Sequence, residues 1–437
     1  MNKKNVLLYI LFFVATLFWC LFIRLLNLDE VWNYGFSHNL YMGLIPYKDF
    51  NMVVTPLFPF MMSLGFYLFG SNILIFHIEN AIIMTILLWM MIKLLGEKAW
   101  LVMLFLFVPI NISIPNYNVF IFFLLIVLLL MEKNESNDYL IGFVIGLSIL
   151  TKQSVGLCMV LPSLYYIKNS KKIVKRVIGI LIPISIFVLY LLLTNSFSDF
   201  INLCFFGLFD FASENRVRFN LYYLIFVVFL MIYIVIIRKN KQNILNYYCL
   251  SFTSMMIPIF DPNHTQVTFL ALIVFLILNN KMNLKLKYPL LFFGTIVGVS
   301  CVIMINYSTR IIYPNTINHF EYRLLNRDYI QFIEKVNEYT ENHKDKEIIY
   351  LNSDGYFFKL INDQRIGYID LINQGNWGYR GSEKLYKEIK KKKDAIFFVN
   401  ESELTEKSQA DKKIQHYVLD NGKKIGKIDI YDIYVIE

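Results

Sequence analysis

Two adjacent carboxylates, Asp29 and Glu30, follow the first long apolar run of the chain, in the stretch RLLNLDEVWNYG at 24–35. Acids at that point are either solvated residues ending a helix or proton acceptors held at a membrane surface. The basic residues nearest in character to such a site are few: Lys48 in PYKDF, Lys152 beside Gln153 in GLSILTKQSVGL, and Arg216 and Arg218 in FASENRVRFN. An ammonium or guanidinium at a bilayer edge can grip a phosphate headgroup; the plainer reading is a snorkelling anchor. Lys48 also has Asp49 beside it to neutralise it. His264 sits in FDPNHTQVTF with Asp261, Asn263 and Gln266, a compact polar cluster at a turn between apolar runs. His77 and Glu79 fall near the start of another run, where Glu79 needs a buried partner or a watery cavity.

The elements that must carry these residues are membrane helices. Of the 437 residues 57% are hydrophobic and only 17% charged, with a mean hydropathy of +0.49, against roughly a quarter charged in soluble domains. The apolar excess ends near residue 306. A transmembrane domain over 1–306 and a soluble domain over 307–437 are therefore expected. The net charge of +9 suggests no nucleic-acid partner, because it lies wholly in the membrane part: 21 Lys+Arg face 12 Asp+Glu up to residue 306, and the remainder has 21 of each. The surplus clusters in the loops around Lys3, Lys93, Lys168–Arg176, Arg238 and Lys281, the mark of cytoplasmic loops.

Candidate spans cover 5–26, 73–95, 99–112, 116–131, 139–151, 154–167, 173–194, 219–237, 244–260, 264–279 and 286–306. The stretches 99–131 and 139–167 are each one long span or two short ones. Lys93 and the Lys168 cluster both belong in the cytoplasm, so both stretches are single or both double. The double reading gives about eleven helices and sets Lys152 at the outer edge; the single one strands that lysine within a helix at a cost of about 3 kcal/mol or more. With Lys3 and Lys4 inside, the N-terminus is cytoplasmic and the acids, the loop 27–72 and the C-terminal domain are extracytoplasmic. The apolar segment VVTPLFPFMMSLGFYLFG of that loop predicts one or two helices lying in the interface.

The N-terminal run is too long for a signal peptide's apolar region and reads as a retained span. The five cysteines are scattered, without disulfide or metal spacing. In the tail, 327–344 and 382–393 have helical spacing, and EIIYL, DAIFFVN and DIYDIYVIE read as strands of a small α/β domain; DGYFF and NQGNWGYRG read as loops.

Four features together resemble the GT-C glycosyltransferases that use polyprenyl-phosphate sugars, nearest the bacterial protein O-mannosyltransferases and aminoarabinose transferases. They are the acidic pair after the first span, the Pro-Tyr-x-Asp-Phe segment with its Pro-rich apolar continuation at 43–70, the Gly-x5-Lys-x3-Gly stretch at 146–156, and the many spans ahead of an exported tail. One departure is Thr55, where relatives often carry a lysine before the proline. The resemblance implies a polytopic helical fold with a small exported α/β domain, in a multi-pass cell-membrane enzyme. It implies inverting transfer of a sugar from a polyprenyl-phosphate donor to a hydroxyl of an extracytoplasmic acceptor. Asp29 would be the base and Glu30 its helper or orienting partner, with Lys48, Lys152, Gln153, Arg216, Arg218 and His264 toward substrate and lipid phosphate. No cofactor is assigned; some relatives use a divalent metal, and the acids and histidines here show no ligand spacing. A transporter or flippase and a polysaccharide polymerase are the rival readings, but no internal repeat is visible, and the sequence signal concentrates after the first span.

Overall fold

The computed structural model describes residues 3–22, 28–107, 115–165, 167, 169–214, 221–239, 243–257, 259–280, 288–308, 312–313, 316–323, 325–364, 366–367, 370, 376–400 and 410–436. Helix α1 (Lys3–Phe22) is followed by two short helices, α2 (Leu28–Tyr41) and α3 (Leu57–Phe69), and then by α4 (Ile73–Leu95). A tight turn at Gly96–Lys98 leads to α5 (Ala99–Phe107). Next come α6 (Tyr117–Lys133), α7 (Asp138–Thr151), α8 (Gln153–Tyr165) and α9 (Ser170–Leu193). Short helices α10 (Phe197–Ile201) and α11 (Gly207–Glu214) flank a π-helical turn at Asn202–Phe206. Helices α12 (Leu221–Lys239), α13 (Ile244–Ser251), α14 (Pro262–Leu278) and α15 (Tyr288–Ser308) complete the bundle.

The packing shows why this is a membrane protein. On α9, Leu181, Ile186, Leu189, Leu192 and Leu193 are exposed, as are Leu224, Val228, Met231 and Val235 on α12. Continuous exposed apolar faces of this size suit lipid, not water. Among the described residues, Ile73–Phe107, Ser170–Leu193 and Leu221–Lys239 are long and apolar enough to cross a bilayer unaided. Among the described residues each ambiguous stretch contains a helix break, at Pro115–Asn116 before α6 and at Lys152 between α7 and α8. The loop 27–72 supplies two short helices, α2 and α3, and α3 leaves Leu64, Tyr67, Leu68 and Phe69 exposed.

The glycines of the Gly-x5-Lys-x3-Gly stretch are packing residues. A Cβ on Gly156 would lie 2.3 Å from the Ile149 nitrogen, because α8 folds back directly on α7. One on Gly146 would lie 2.6 Å from the Ile180 carbonyl oxygen of α9. The fold-back places Lys152 at the apex of a sharp turn, in extended backbone, where its N–H still donates to Ser148 O at 3.0 Å.

Beyond α15, β1 (Ile312–Tyr313) pairs antiparallel with β2 (Leu325–Asn326). The tail continues through α16 (Arg327–Asn342), β3 (Ile348–Tyr350), α17 (Asp354–Ile361), α18 (Gly381–Ile389), β4 (Ile396–Val399), α19 (Lys412–Asn421), β5 (Lys423–Ile428) and β6 (Tyr431–Val435). Its sheet has the order β3-β4-β6-β5, with β3 and β4 parallel and the other pairs antiparallel. The segment DGYFF, expected as a loop, forms most of α17, whose Tyr356, Phe357 and Phe358 are buried. Part of that burial lies against α2: the Tyr356 ring packs edge-on to Phe36 at 6.1 Å between centroids.

Candidate functional site

The site is built at the end of the bundle where α2 begins, α6 begins and α7 turns into α8. Asn116 caps α6 by accepting the Asn118 N–H at its Oδ1, 2.8 Å. That use of the oxygen aims its Nδ2 at Asp29, to whose Oδ2 it donates at 3.2 Å. Two residues on, Asn118 Oδ1 accepts from Lys152 Nζ at 2.9 Å, and the ammonium lies 5.5 Å from the Tyr117 ring centre. One capping turn thus links the carboxylate to the lysine. Opposite, Asp261 caps α14: its Oδ1 accepts the His264 N–H at 2.7 Å, and its Oδ2 receives the ring Nδ1 at 2.8 Å. The ring's Nε2 is left for another partner.

The electrostatics follow from burial. Asp29 is held above the usual carboxylate range by desolvation, with Asp261 adding to the rise and His264, Asn116 and Lys152 opposing it. Burial lowers Lys152 to about 7, against the pull of Asp261 and Asp29. A raised acid and a lowered amine near one another are what proton transfer and anion capture require near neutral pH.

Beside these groups opens a cavity of about 550 Å³, walled by Val53, Val54, Leu203, Phe205, Phe206, Leu208, Phe209, Ile257 and Ile259, with Tyr117, Lys152, Gln153 and His264 as its polar edge. Gln153 Nε2 donates to Cys204 O at 3.4 Å, fixing the turn against the π-helical segment. That segment and α11, which fall between the spans expected at 173–194 and 219–237, supply much of the apolar wall. Its signal was present, as the apolar run FINLCFFGLF.

Glu30 is placed differently from Asp29. It is fully buried, with Oε1 2.7 Å from His77 Nε2 and Oε2 accepting from Arg323 Nη2 at 2.7 Å. Burial alone would raise its pKa, but Arg323 and His77 outweigh that and hold it below the usual range. It fastens α2 to α4 and to the start of the tail. His77 thereby gains a partner that sequence reading did not give it. Lys48 is also elsewhere: it is exposed, donates to Thr194 O at 3.2 Å, and lines a second cavity of about 400 Å³ with Glu347, Lys359 and Lys392 of the tail. Thr55 donates to Ile149 O at 3.0 Å and is committed to packing. Arg216 and Arg218 lie outside the described residues. The residues sequence reasoning missed are Asn116, Tyr117, Asn118 and Arg323.

No protein-family model matches the sequence, and no curated protein does. Among solved structures the chain is similar to ArnT from Cupriavidus metallidurans bound to undecaprenyl phosphate, with a TM-score of 0.61 at 11% identity over 99% of this chain and 98% of that one. It is likewise similar to the apo form of that protein, with a TM-score of 0.55 at 10% identity and the same coverage. The chain therefore shares the fold of ArnT, a bundle of membrane helices followed by a small α/β tail. Its whole length, tail included, follows that architecture.

Proposed function

We propose that the protein is a membrane glycosyltransferase that moves a sugar from a polyprenyl-phosphate donor to a hydroxyl of an extracytoplasmic acceptor. The observation that carries this reading is the cavity: its apolar wall suits an isoprenoid chain, and its polar edge sets Lys152 and His264 where a phosphate would emerge. The ArnT structure with undecaprenyl phosphate supports the same class of donor.

In the reaction, Asp29 accepts the proton of the acceptor hydroxyl. The acceptor oxygen attacks the anomeric carbon, the carbon–oxygen bond to phosphate breaks, and polyprenyl phosphate leaves with the electron pair. A single displacement inverts the anomeric centre and needs no sugar–enzyme intermediate, unlike retaining glycosidases. Lys152 and His264 hold the charge that develops on the leaving phosphate: an arriving anion restores the ammonium that burial disfavours, and His264, its Nδ1–H held by Asp261, acts as the imidazolium and donates through Nε2. Asn116 orients Asp29, and Glu30 acts through the helix it anchors. The N-terminus is cytoplasmic and the tail extracytoplasmic in this reading, with residues 1–306 forming the catalytic membrane domain.

The test is purified protein in detergent or vesicles with a panel of polyprenyl-phosphate sugars and acceptor glycans, lipids and peptides, followed by release of polyprenyl phosphate and inversion at the transferred sugar. Donor consumption with inverted product supports the reading. Intact donor, with a solute moved across the vesicle wall, would replace it by a carrier.

A further inference from the structure

Away from the cavity, at the other end of α2, two imidazoles and a carboxylate from three distant parts of the chain converge. One ring nitrogen each of His38 and His319 and one oxygen of Asp363 lie within 4.8 Å of one another. The two rings meet edge-on at 4.8 Å between centroids. His38 is in the last turn of α2, His319 in the connection after α15, and Asp363 just past α17.

Hydrogen bonding decides what the group can hold. His319 Nδ1 is 3.0 Å from the Ser71 carbonyl oxygen. A carbonyl only accepts, so Nδ1 carries the hydrogen and Nε2 of the neutral ring presents a lone pair. That Nε2 lies 2.7 Å from Asp363 Oδ1. Two acceptors at that distance require a positive charge between them, either a proton or a metal ion. The surroundings match those of a metal. Asp363 Oδ2 is occupied by Asn318 Nδ2 at 2.7 Å, leaving Oδ1 for the ion. His38 Nδ1 is 2.8 Å from Ser71 Oγ, which is itself 2.8 Å from Tyr34 OH. Ser71 Oγ can accept, so the Nδ1–H tautomer of His38 is open to it; in that tautomer Nδ1 donates to Ser71 and Nε2 keeps its lone pair for an ion. Metal-binding imidazoles are oriented this way, by a second partner on the far nitrogen.

We propose that His38, His319 and Asp363 form a binding site for a divalent transition-metal ion of the zinc class, pinning the tail onto α2. Two nitrogens and one oxygen suit that ion, and the exposed side of Asp363 leaves a fourth position for water. Bonds of about 2.0–2.1 Å to a tetrahedral ion put ligand atoms about 3.3 Å apart. Asp363 and His319 therefore part slightly and His38 closes in, which the exposed Asp363 side chain allows. With the Glu30–Arg323 pair at the start of α2, the ion would fasten that helix to the segment following the bundle at both ends. The site is independent of the transferase reading.

The test uses the full chain in detergent, its affinity tag removed and its metal stripped with chelator. Co²⁺ is titrated and its visible absorption recorded, then Zn²⁺ is added in competition and bound metal counted by mass spectrometry. The site predicts one equivalent of Zn²⁺ per chain, displacing a Co²⁺ band of four- or five-coordinate intensity. Asp363→Asn lowers affinity at least tenfold, His319→Ala removes the band, and His343→Ala, in the turn after α16, leaves both unchanged. A wild-type chain taking up less than a tenth of an equivalent would overturn the proposal in favour of a plain imidazolium–carboxylate pair. Equal uptake by wild type, Asp363→Asn and His319→Ala would overturn it too, as metal held elsewhere.

Discussion

The two ends of α6 and α7 carry polar clusters of opposite design. At the end away from Asp29, Arg176 on α9 reaches Glu132 with both terminal nitrogens, at 2.5 and 3.0 Å, and Asp138 with Nε at 2.9 Å. Tyr248 OH donates to Glu132 Oε1 at 2.7 Å. Every charge there meets its opposite in bidentate or branched geometry. At the Asp29 end, Lys152 meets an amide oxygen and an aromatic ring, and among the described residues no carboxylate lies within ion-pair distance of it. A cluster that joins α6, α7, α9 and α13 can saturate its charges. One that is to receive an anionic substrate must leave attraction unspent, at a cost in stability.

The comparison breaks first, and most severely, at Arg176. Arg176→Met leaves Glu132 and Asp138 without their shared cation and should destabilise the bundle by about 3–5 kcal/mol. Thermal unfolding in detergent should show a large drop, and an unchanged midpoint would remove the structural role assigned here.

Lys152→Met should do the reverse. Transfer falls by about 10²–10³-fold as phosphate capture is lost, while stability matches or exceeds that of the wild type. The pH dependence sharpens this contrast. Burial sets Lys152 at about 7 when folded. From there up to the ordinary lysine range the unfolded chain binds the extra proton, so wild-type stability should rise with pH across that window. Unfolding midpoints should show the rise in wild type and its absence in Lys152→Met.

Activity should move oppositely at alkaline pH. In the free enzyme kcat/KM falls by about tenfold per unit once Lys152 deprotonates above about 7. It also falls on the acid side, at a pH above the ordinary aspartate range, because Asp29 is raised by burial. A profile flat across neutral pH would contradict both assignments. The smallest effect belongs to Lys48→Ala, under about twofold on transfer, since an exposed lysine on a separate cavity contributes little; a loss beyond tenfold would bring that cavity into the reaction.

Much of the bundle was legible because apolar runs and turn residues are local: the run 73–95 is α4, and the polar break around Lys152 is the α7–α8 turn. The tail's α16 and β4 were legible for the same reason. What failed was non-local. DGYFF looks like a loop until α2 and the sheet give its aromatics a place to be buried. Glu30 reads as a second catalytic acid because its partners, His77 and Arg323, are 47 and 293 residues away. Asn116 and Asn118 look like a helix start, which they are; that the same amides join Asp29 to Lys152 depends on three helices meeting. His38, His319 and Asp363 show no ligand spacing for the same reason.

The central claim is that Asp29 takes the acceptor's proton. Its most direct measurement is transfer from a polyprenyl-phosphate sugar by Asp29→Asn, which keeps the Asn116 contact while removing the base. The account predicts a correctly inserted protein with wild-type unfolding, donor bound with unchanged affinity, and transfer reduced by about 10²–10⁴-fold. Transfer at the wild-type rate in that variant would contradict it.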